Sequence, residues 1–319
     1  IEQVYSGYFN NVISESRLPL TSISQSPTPN TLSSLRLFAS DIKLGHSIFA
    51  IPFAAAAFFL GKLPLPSLNQ IFLLILCMVT ARSTAMGMNR YLDRYIDAAN
   101  PRTRGRKIPS GELSARAGLG WSIVSAIVFI VSAATLSPLA GFCSLPLLLI
   151  LGFYSAMKRI SVVTHWYLGI CLGLAPIAVS IAISGTVAPP VLLLGGAVCL
   201  WTAGFDIIYA LQDLQFDRSA GLHSIPSKFT PAVSLGISRA SFFLMIVLLA
   251  VAGYLSEQGL PYFIGVAAVA TLLVYEQYLV RDAKTSGHSV NLNIAFFNMN
   301  AYVSVIFLAF TVLDAWLAK

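Results

Sequence analysis

The stretch from Ala81 to Gly111, ARSTAMGMNRYLDRYIDAANPRTRGRKIPSG, passes abruptly from an apolar run into dense charge. Asn89, Asp93 and Asp97 are spaced four apart, so a helix stacks them along one face over two turns. A basic loop punctuated by Pro101, Gly105 and Pro109 follows, carrying Arg102, Arg104, Arg106 and Lys107. Carboxylates at the mouth of an apolar helix, beside such a cluster of cations, suit a metal-bridged phosphate better than they suit packing.

Working outward, the rest of the chain is overwhelmingly apolar. Of 319 residues 56% are hydrophobic and 10% charged, against a usual charged share of ~25%. A soluble globule of that composition could not keep a polar surface, so most of the exterior must face lipid. Nine apolar segments lie near 44–61, 68–90, 115–136, 139–157, 161–184, 189–211, 231–254, 260–280 and 291–316. Each approaches the ~20 residues that a helix needs to span a bilayer. The expected fold is therefore all-α, a polytopic membrane domain over 41–319. Residues 1–35 differ in kind, being rich in Ser, Thr, Pro and Asn, and residues 1–40 read as a mobile cytosolic tail. The start at Ile1 rather than Met suits a processed or partial chain.

Loop charge orients the bundle. Lys and Arg gather in the tail (Arg17, Arg36, Lys43), in the 2–3 loop, and beyond spans four, six and eight. The opposite loops hold only Lys62, and the far C-terminus only Lys319. The positive-inside rule places the N-terminus and the charged loops in the cytoplasm. A bacterial cytoplasmic membrane suits this best, and no nucleic-acid partner is expected.

A second acidic end lies on the same side. NRYLDRYIDAANPRTRGRKIPSG, residues 89–111, is weakly repeated by YALQDLQFDRSAGLHSIPSKF, residues 209–229. Each copy has Asp-x-x-x-Asp, a basic loop containing glycine, and then Ile-Pro-Ser. Asp213 and Asp217 form the second pair, with Asp206 seven residues earlier on the same face. Mg²⁺ is a hard cation held by carboxylates, waters and substrate phosphates, so two facing pairs suit two ions across a diphosphate. Ordinary i,i+4 ion pairs with Arg90, Arg94 or Arg218 are the competing account of either pair alone.

Arg82 shares the face of Asn89 but lies about 10 Å deeper. A guanidinium at that depth needs an anion, either Asp206 or the carboxylate of a substrate, and a bidentate grip on the latter is favoured. Tyr154 and Lys158 end the fourth span and suit either interfacial anchoring or diphosphate binding. Arg102 and Arg106 are candidates for the same task. Cys77, Cys143, Cys171 and Cys199 sit inside apolar runs with no CxxC spacing, so neither disulfide nor zinc is expected. His46, His165, His223 and His288 are scattered and read as interface or core residues, with His46 the one worth testing. HExxH, GxSxG and Walker A signatures are absent.

At these residues the chain resembles the UbiA superfamily of intramembrane prenyltransferases over about 40–316. The resemblance is carried by N-x-x-x-D-x-x-x-D at Asn89/Asp93/Asp97, Y-x-x-x-K at Tyr154/Lys158, and D-x-x-Y-x-x-x-D-x-x-x-D at Asp206/Tyr209/Asp213/Asp217. The two repeats look most like the 4-hydroxybenzoate polyprenyltransferase branch, and especially like its relatives in the futalosine route to menaquinone. Arg90 departs from the Asp that many ubiquinone-pathway members carry there. The resemblance implies a nine-helix bundle with a central cavity capped by two cytoplasmic loops. It implies Mg²⁺ held by Asp93, Asp97, Asp213 and Asp217 with help from Asn89, and a polyprenyl diphosphate donor. Arg102, Arg106, Lys158 and Arg218 would neutralise the leaving diphosphate, and Tyr154 and Tyr209 belong to the same substrate-binding set. Arg82 would orient an aromatic acid such as 4-hydroxybenzoate or 1,4-dihydroxy-6-naphthoate. Asp206 would polarise its hydroxyl or accept the ring proton.

A secondary transporter with repeated halves is the competing class, although a carrier keeps its site near the membrane midplane. A CDP-alcohol phosphotransferase fits less well, because its single Asp-rich motif is missing and its six spans are too few.

Overall fold

The computed structural model describes residues 31–43, 51–282 and 299–318. Every regular element among them is helical. In chain order these are α1 (Thr31–Asp41), α2 (Ile51–Leu60), α3 (Leu68–Leu92), α4 (Arg94–Ala99), α5 (Ala115–Leu136), α6 (Pro138–Met157) and α7 (Thr164–Ser184). There follow α8 (Pro189–Ala210), α9 (Leu214–Ser219), α10 (Ile225–Lys228), α11 (Pro231–Leu255), α12 (Leu260–Leu279) and α13 (Asn300–Leu317). Eight of these runs are long and apolar enough to cross a membrane. The expected first span appears as α2, ten residues, with 44–50 outside the described residues. The expected nine is thus eight long helices and one short apolar one among the described residues. His46 and His288 also lie outside them.

Local chemistry sets the boundaries. Ser67 opens α3 with a capping box, its Oγ accepting from Gln70 N–H while Gln70 reaches back to Ser67 N–H. Ser114, Ser137 and Thr230 cap α5, α6 and α11 more simply, each side-chain oxygen accepting one backbone N–H. Gly185 closes α7 in the left-handed region at φ 72°, where glycine carries no Cβ penalty.

Packing divides the bundle into two unlike halves. α8 is its axis, with Val191, Leu194, Ala197, Val198 and Trp201 sealed along its length. Around it, α2, α11, α12 and α13 build a solid core in which Phe53 contacts both Trp201 and Phe307. α7 closes against α8 through small residues: a Cβ on Gly169 would lie 2.3 Å from Cys199 O, and one on Gly173 would lie 2.3 Å from Gly195 O. On the other side α3, α5, α6 and α7 do not fill the space between them and α8 but enclose a cavity of about 950 Å³.

α1 is the last part of the stretch expected as a tail, and it is docked structure. Phe38 is buried with Ile108 and Leu113, and Trp121 Nε1–H donates to Ser34 at 3.0 Å. Residues 1–30 lie outside the described ones. The helix was hidden in the sequence because TLSSLRLFASD has only one broken apolar stripe.

Candidate active site

Both acidic motifs are built the same way. α3 ends at Asp93, which leaves helical geometry at φ −91°, ψ 3°, and the six-residue α4 then presents Asp97. α8 ends in a single 3₁₀ turn, Leu211–Asp213, where Asp213 has φ −101°, ψ 7°, and the six-residue α9 presents Asp217. The repeat is therefore a repeat of backbone: a long helix breaks at the first aspartate and a short one carries the second. The continuous helix expected through each motif is interrupted. The four-residue register nonetheless survives, because Asp97 N–H still donates to Asp93 O at 2.8 Å.

The loops that follow fold back over the cavity mouth, each pinned by the isoleucine of its Ile-Pro-Ser. Ile108 and Ile225 are both buried. The two halves then interlock. Arg102 Nε donates to Asp213 Oδ1 at 2.8 Å, its Nη2 donates to Asp213 Oδ2, and Asn100 Nδ2 donates to Asp213 Oδ1 at 3.0 Å. Arg102 also donates to the Tyr209 hydroxyl at 3.2 Å. Arg106 pairs with Asp97 at 2.6 Å. Lys158 and Arg159 both hold Asp93, at 2.9 and 2.7 Å, and Asn89 donates to the same carboxylate at 2.8 Å. Asp217 accepts from Ser224 Oγ at 2.9 Å. Three of the four acids thus face cations from a different segment.

The mouth gathers a further cation. Lys43, in the turn after α1, lines the cavity. Burial, then the charges of Arg106, Arg90 and Arg102, push its ammonium below the ordinary lysine value. Burial also works against the charge of Arg102, but its hydrogen bond and ion pair with Asp213 hold the guanidinium above its usual value. Such a mouth favours a polyanion.

Below it the cavity becomes apolar, lined by Leu74, Phe129, Ala133, Leu136, Ala140 and Ala182. Arg82 projects into this zone from α3, and among the described residues its Nε has no hydrogen-bond partner. The suggested Arg82–Asp206 pair is not formed. Asp206 instead binds His165, at 2.7 Å.

Most of the predicted set converges. Asn89, Asp97, Arg102, Arg106, Tyr154, Lys158, Asp206, Tyr209, Asp213 and Asp217 all border the one cavity, with Arg82 among them. Asp93 is 1% exposed and sits sealed beneath Lys158 and Arg159 rather than on the wall. Arg218 is turned away, donating to the carbonyls of Pro226, Ser227 and Phe229. There it ties down the loop, since adjacent residues of a helix point about 100° apart and Asp217 takes the inward direction. Arg159, Asn100, Lys43 and His165 were missed as site residues. Arg159 had a signal, adjacency to Lys158; the others needed tertiary contacts across tens of residues.

The donor set suits a hard divalent cation. It is all oxygen, drawn from carboxylates and one carboxamide at two helix ends, with no thiolate or imidazole among them. Among the described residues no three of His, Cys, Asp and Glu lie close enough to enclose an ion as they stand.

Comparison with known proteins agrees with this geometry. The profile of the UbiA prenyltransferase family matches residues 50–301. The chain belongs to this family. This UbiA-family chain is 30% identical over 268 residues to a 4-hydroxybenzoate octaprenyltransferase of Aromatoleum aromaticum, covering 80% of this chain and 87% of that one. It is 29% identical over 246 residues to the same-named protein of Alkalilimnicola ehrlichii, covering 76% and 82%. Its fold is similar to the apo structure of a UbiA homologue from Aeropyrum pernix, with a TM-score of 0.77 at 30% identity over 85% of this chain and 98% of that one. A UbiA homologue from Archaeoglobus fulgidus, solved with GPP and Mg²⁺, shares the fold with a TM-score of 0.65 at 19% identity, covering 87% and 99%. The protein is an integral, multi-pass membrane prenyltransferase, similar to the 4-hydroxybenzoate type. The transporter alternative is thereby set aside.

Proposed function

We propose that this prenyltransferase moves a polyprenyl group from a polyprenyl diphosphate to an aromatic acid of the 4-hydroxybenzoate type in quinone biosynthesis. The observation that carries the reading is the division of one cavity. Its mouth gathers Asp97, Asp213 and Asp217, with Asp93 sealed just behind them, among several cations, while its apolar depth holds a single arginine whose Nε has no hydrogen-bond partner among the described residues. The mouth suits a diphosphate. The arginine suits the carboxylate of a flat acceptor, gripped by two parallel N–H bonds.

Asp93, Asp97, Asp213 and Asp217, with Asn89, would hold Mg²⁺, which when bound supplies Lewis-acid neutralisation of the leaving diphosphate. The chain does the rest. Arg102, Arg106 and Lys158 would bind the phosphate oxygens of the donor, with Tyr154 and Tyr209 in the same substrate-binding set. As the allylic C–O bond breaks, its electron pair leaves on the diphosphate, where these cations stabilise the developing charge. The ring carbon ortho to the acceptor hydroxyl forms the new C–C bond, and the displaced ring proton passes to Asp206. The apolar walls exclude water that would otherwise capture the cation. Loop charge supports a mouth facing the cytoplasm.

The test is a competition assay. Purified protein with Mg²⁺ and a labelled polyprenyl diphosphate is offered 4-hydroxybenzoate and 1,4-dihydroxy-6-naphthoate together. Prenylated 4-hydroxybenzoate as the main product supports the reading, and exclusive use of the naphthoate reassigns the acceptor. No product from either acid overturns it.

A further inference from the structure

His165 is a cavity-lining side chain that this reading leaves without a task. It stands in the first turn of α7, 2% exposed. Its Nε2 accepts the Ile225 N–H at 3.1 Å. A ring nitrogen that accepts carries no proton, so the proton of the neutral imidazole is on Nδ1. Nδ1–H then donates to Asp206 Oδ2 at 2.7 Å. Two neighbours on different elements fix one tautomer and one ring orientation.

The connection continues beyond Ile225. The preceding residue, Ser224, donates from Oγ to Asp217 at 2.9 Å. One imidazole therefore joins Asp206, beside the deep acceptor end, to the loop that holds Asp217 at the diphosphate end. Charged imidazolium would break this bridge, since Nε2 could no longer accept from Ile225.

We propose that His165 is a positioning residue for Asp206: its Nδ1–H anchors Oδ2 and so fixes the carboxylate plane toward the acceptor. The carboxylate torsion is broad and nearly two-fold, so an unanchored aspartate would sample many orientations. Asp206 remains 23% exposed on its side chain, which leaves it accessible from the cavity. This rests on the reading of Asp206 as the group that serves the acceptor.

Three substitutions separate the two arms of the imidazole. His165→Asn keeps an amide N–H where Nδ1 stands and gives up Ile225. His165→Gln keeps an acceptor near Nε2 and gives up the donor to Asp206. His165→Ala removes both. Each is assayed with Mg²⁺ for kcat and for both KM values, using 4-hydroxybenzoate and a polyprenyl diphosphate. Metal-free binding of 4-hydroxybenzoate is measured in parallel by calorimetry. Gln and Ala should lower kcat/KM for the acceptor about 10- to 100-fold and leave donor KM within about twofold, the scale seen when an orienting partner is lost. Asn should stay within about threefold of wild type. Asn as impaired as Ala, or donor and acceptor constants falling together, would overturn the proposal in favour of a mere loop prop. If Ala does not fold, the Asn and Gln pair decides alone. Asp206→Asn separates the two levels: normal acceptor kinetics there removes the role of Asp206 itself, whereas an impaired Asp206→Asn beside normal His165 variants removes only the role of His165.

Discussion

Arg102 and Asp213, 111 residues apart, meet through two hydrogen bonds at the cavity mouth. Neither motif is complete without the other: the loop that follows the first acidic pair supplies the cation that neutralises the second. The same exchange occurs when Lys158 and Arg159, at the end of α6, neutralise Asp93 on α3. A cation already paired with a carboxylate is prepared to switch. Metal on the acid and phosphate on the base, as proposed, would satisfy both partners at once.

Removing one side of this pair should therefore hurt donor use. Arg102→Ala should raise donor KM by roughly 10- to 100-fold, the worth of ~1.5–3 kcal/mol for a hydrogen bond to a charged group. Asp213→Ala and Asp93→Ala should abolish product while the protein still inserts in membranes. Steady-state kinetics with a labelled prenyl diphosphate measure both effects. Unchanged donor KM in Arg102→Ala would leave the arginine a purely structural latch.

Arg82 should act on the other substrate. Among the described residues it pairs with no carboxylate, and its Nε is buried without a hydrogen-bond partner. Arg82→Ala should raise acceptor KM by ~10-fold or more with little change in donor KM. Equal changes in both constants would eliminate the carboxylate grip.

Metal and diphosphate should stabilise the protein cooperatively. Asp93, Asp97 and Asp213 would each have to leave a cation to bind metal, and Arg102, Arg106 and Lys158 a carboxylate to bind phosphate. Mg²⁺ alone or inorganic diphosphate alone should thus raise the melting temperature in detergent slightly. Together they should raise it by more than the sum. EDTA should abolish both this synergy and turnover, and Mg²⁺ should restore them. Strictly additive shifts would show that the two exchanges are independent.

What the sequence revealed, and what it did not, follows from range. Span positions and the Asp-x-x-x-Asp repeats are local patterns, so they were legible. Asp206, Asp213 and Asp217 could be placed on the same side as Asp93 because loop charge orients every span at once. The breaks at Asp93 and Asp213 were not legible, since no Pro or Gly marks them; the backbone bends there to bring Asp97 and Asp217 inward. Arg218 was expected at the diphosphate and instead faces the carbonyls of its own loop, a direction that the sequence alone does not show. His165 was dismissed as a lone histidine because its two partners lie 41 and 60 residues away.

The contact of α7 with α8 should tolerate no side chain at Gly173. A Cβ there would stand 2.3 Å from Gly195 O, which is backbone and cannot rotate aside. Gly173→Ala should cost about 1–3 kcal/mol as the two helices separate. Gly152→Ala on α6, where a Cβ meets nothing within 4 Å, is the control and should leave the melting temperature unchanged or slightly raised. Equal melting of both variants would contradict the close packing.

The docking of α1 should depend on Asp41. Its Oδ1 accepts from Lys107 N–H at 2.7 Å, and its Oδ2 lies 3.9 Å from Arg90 Nε. Arg90 is 5% exposed and also donates to Asn89 Oδ1 at 2.8 Å, so α1 is linked through it to the first acidic motif. Asp41→Ala removes one of two carboxylates whose charge favours the buried Arg90 guanidinium, Asp97 being the other, and deletes the acceptor of Lys107 N–H, a loss of about 1–3 kcal/mol. Asp41→Asn keeps an acceptor for Lys107 N–H and should cost less. Two measurements check this: melting in detergent, and tryptic cleavage at Arg102 and Arg104, which should speed up as the loop loses its anchor. Wild-type melting and cleavage in Asp41→Ala would mean that α1 rests on Phe38 and Ser34 alone, and that Arg90 finds its compensation in Asn89.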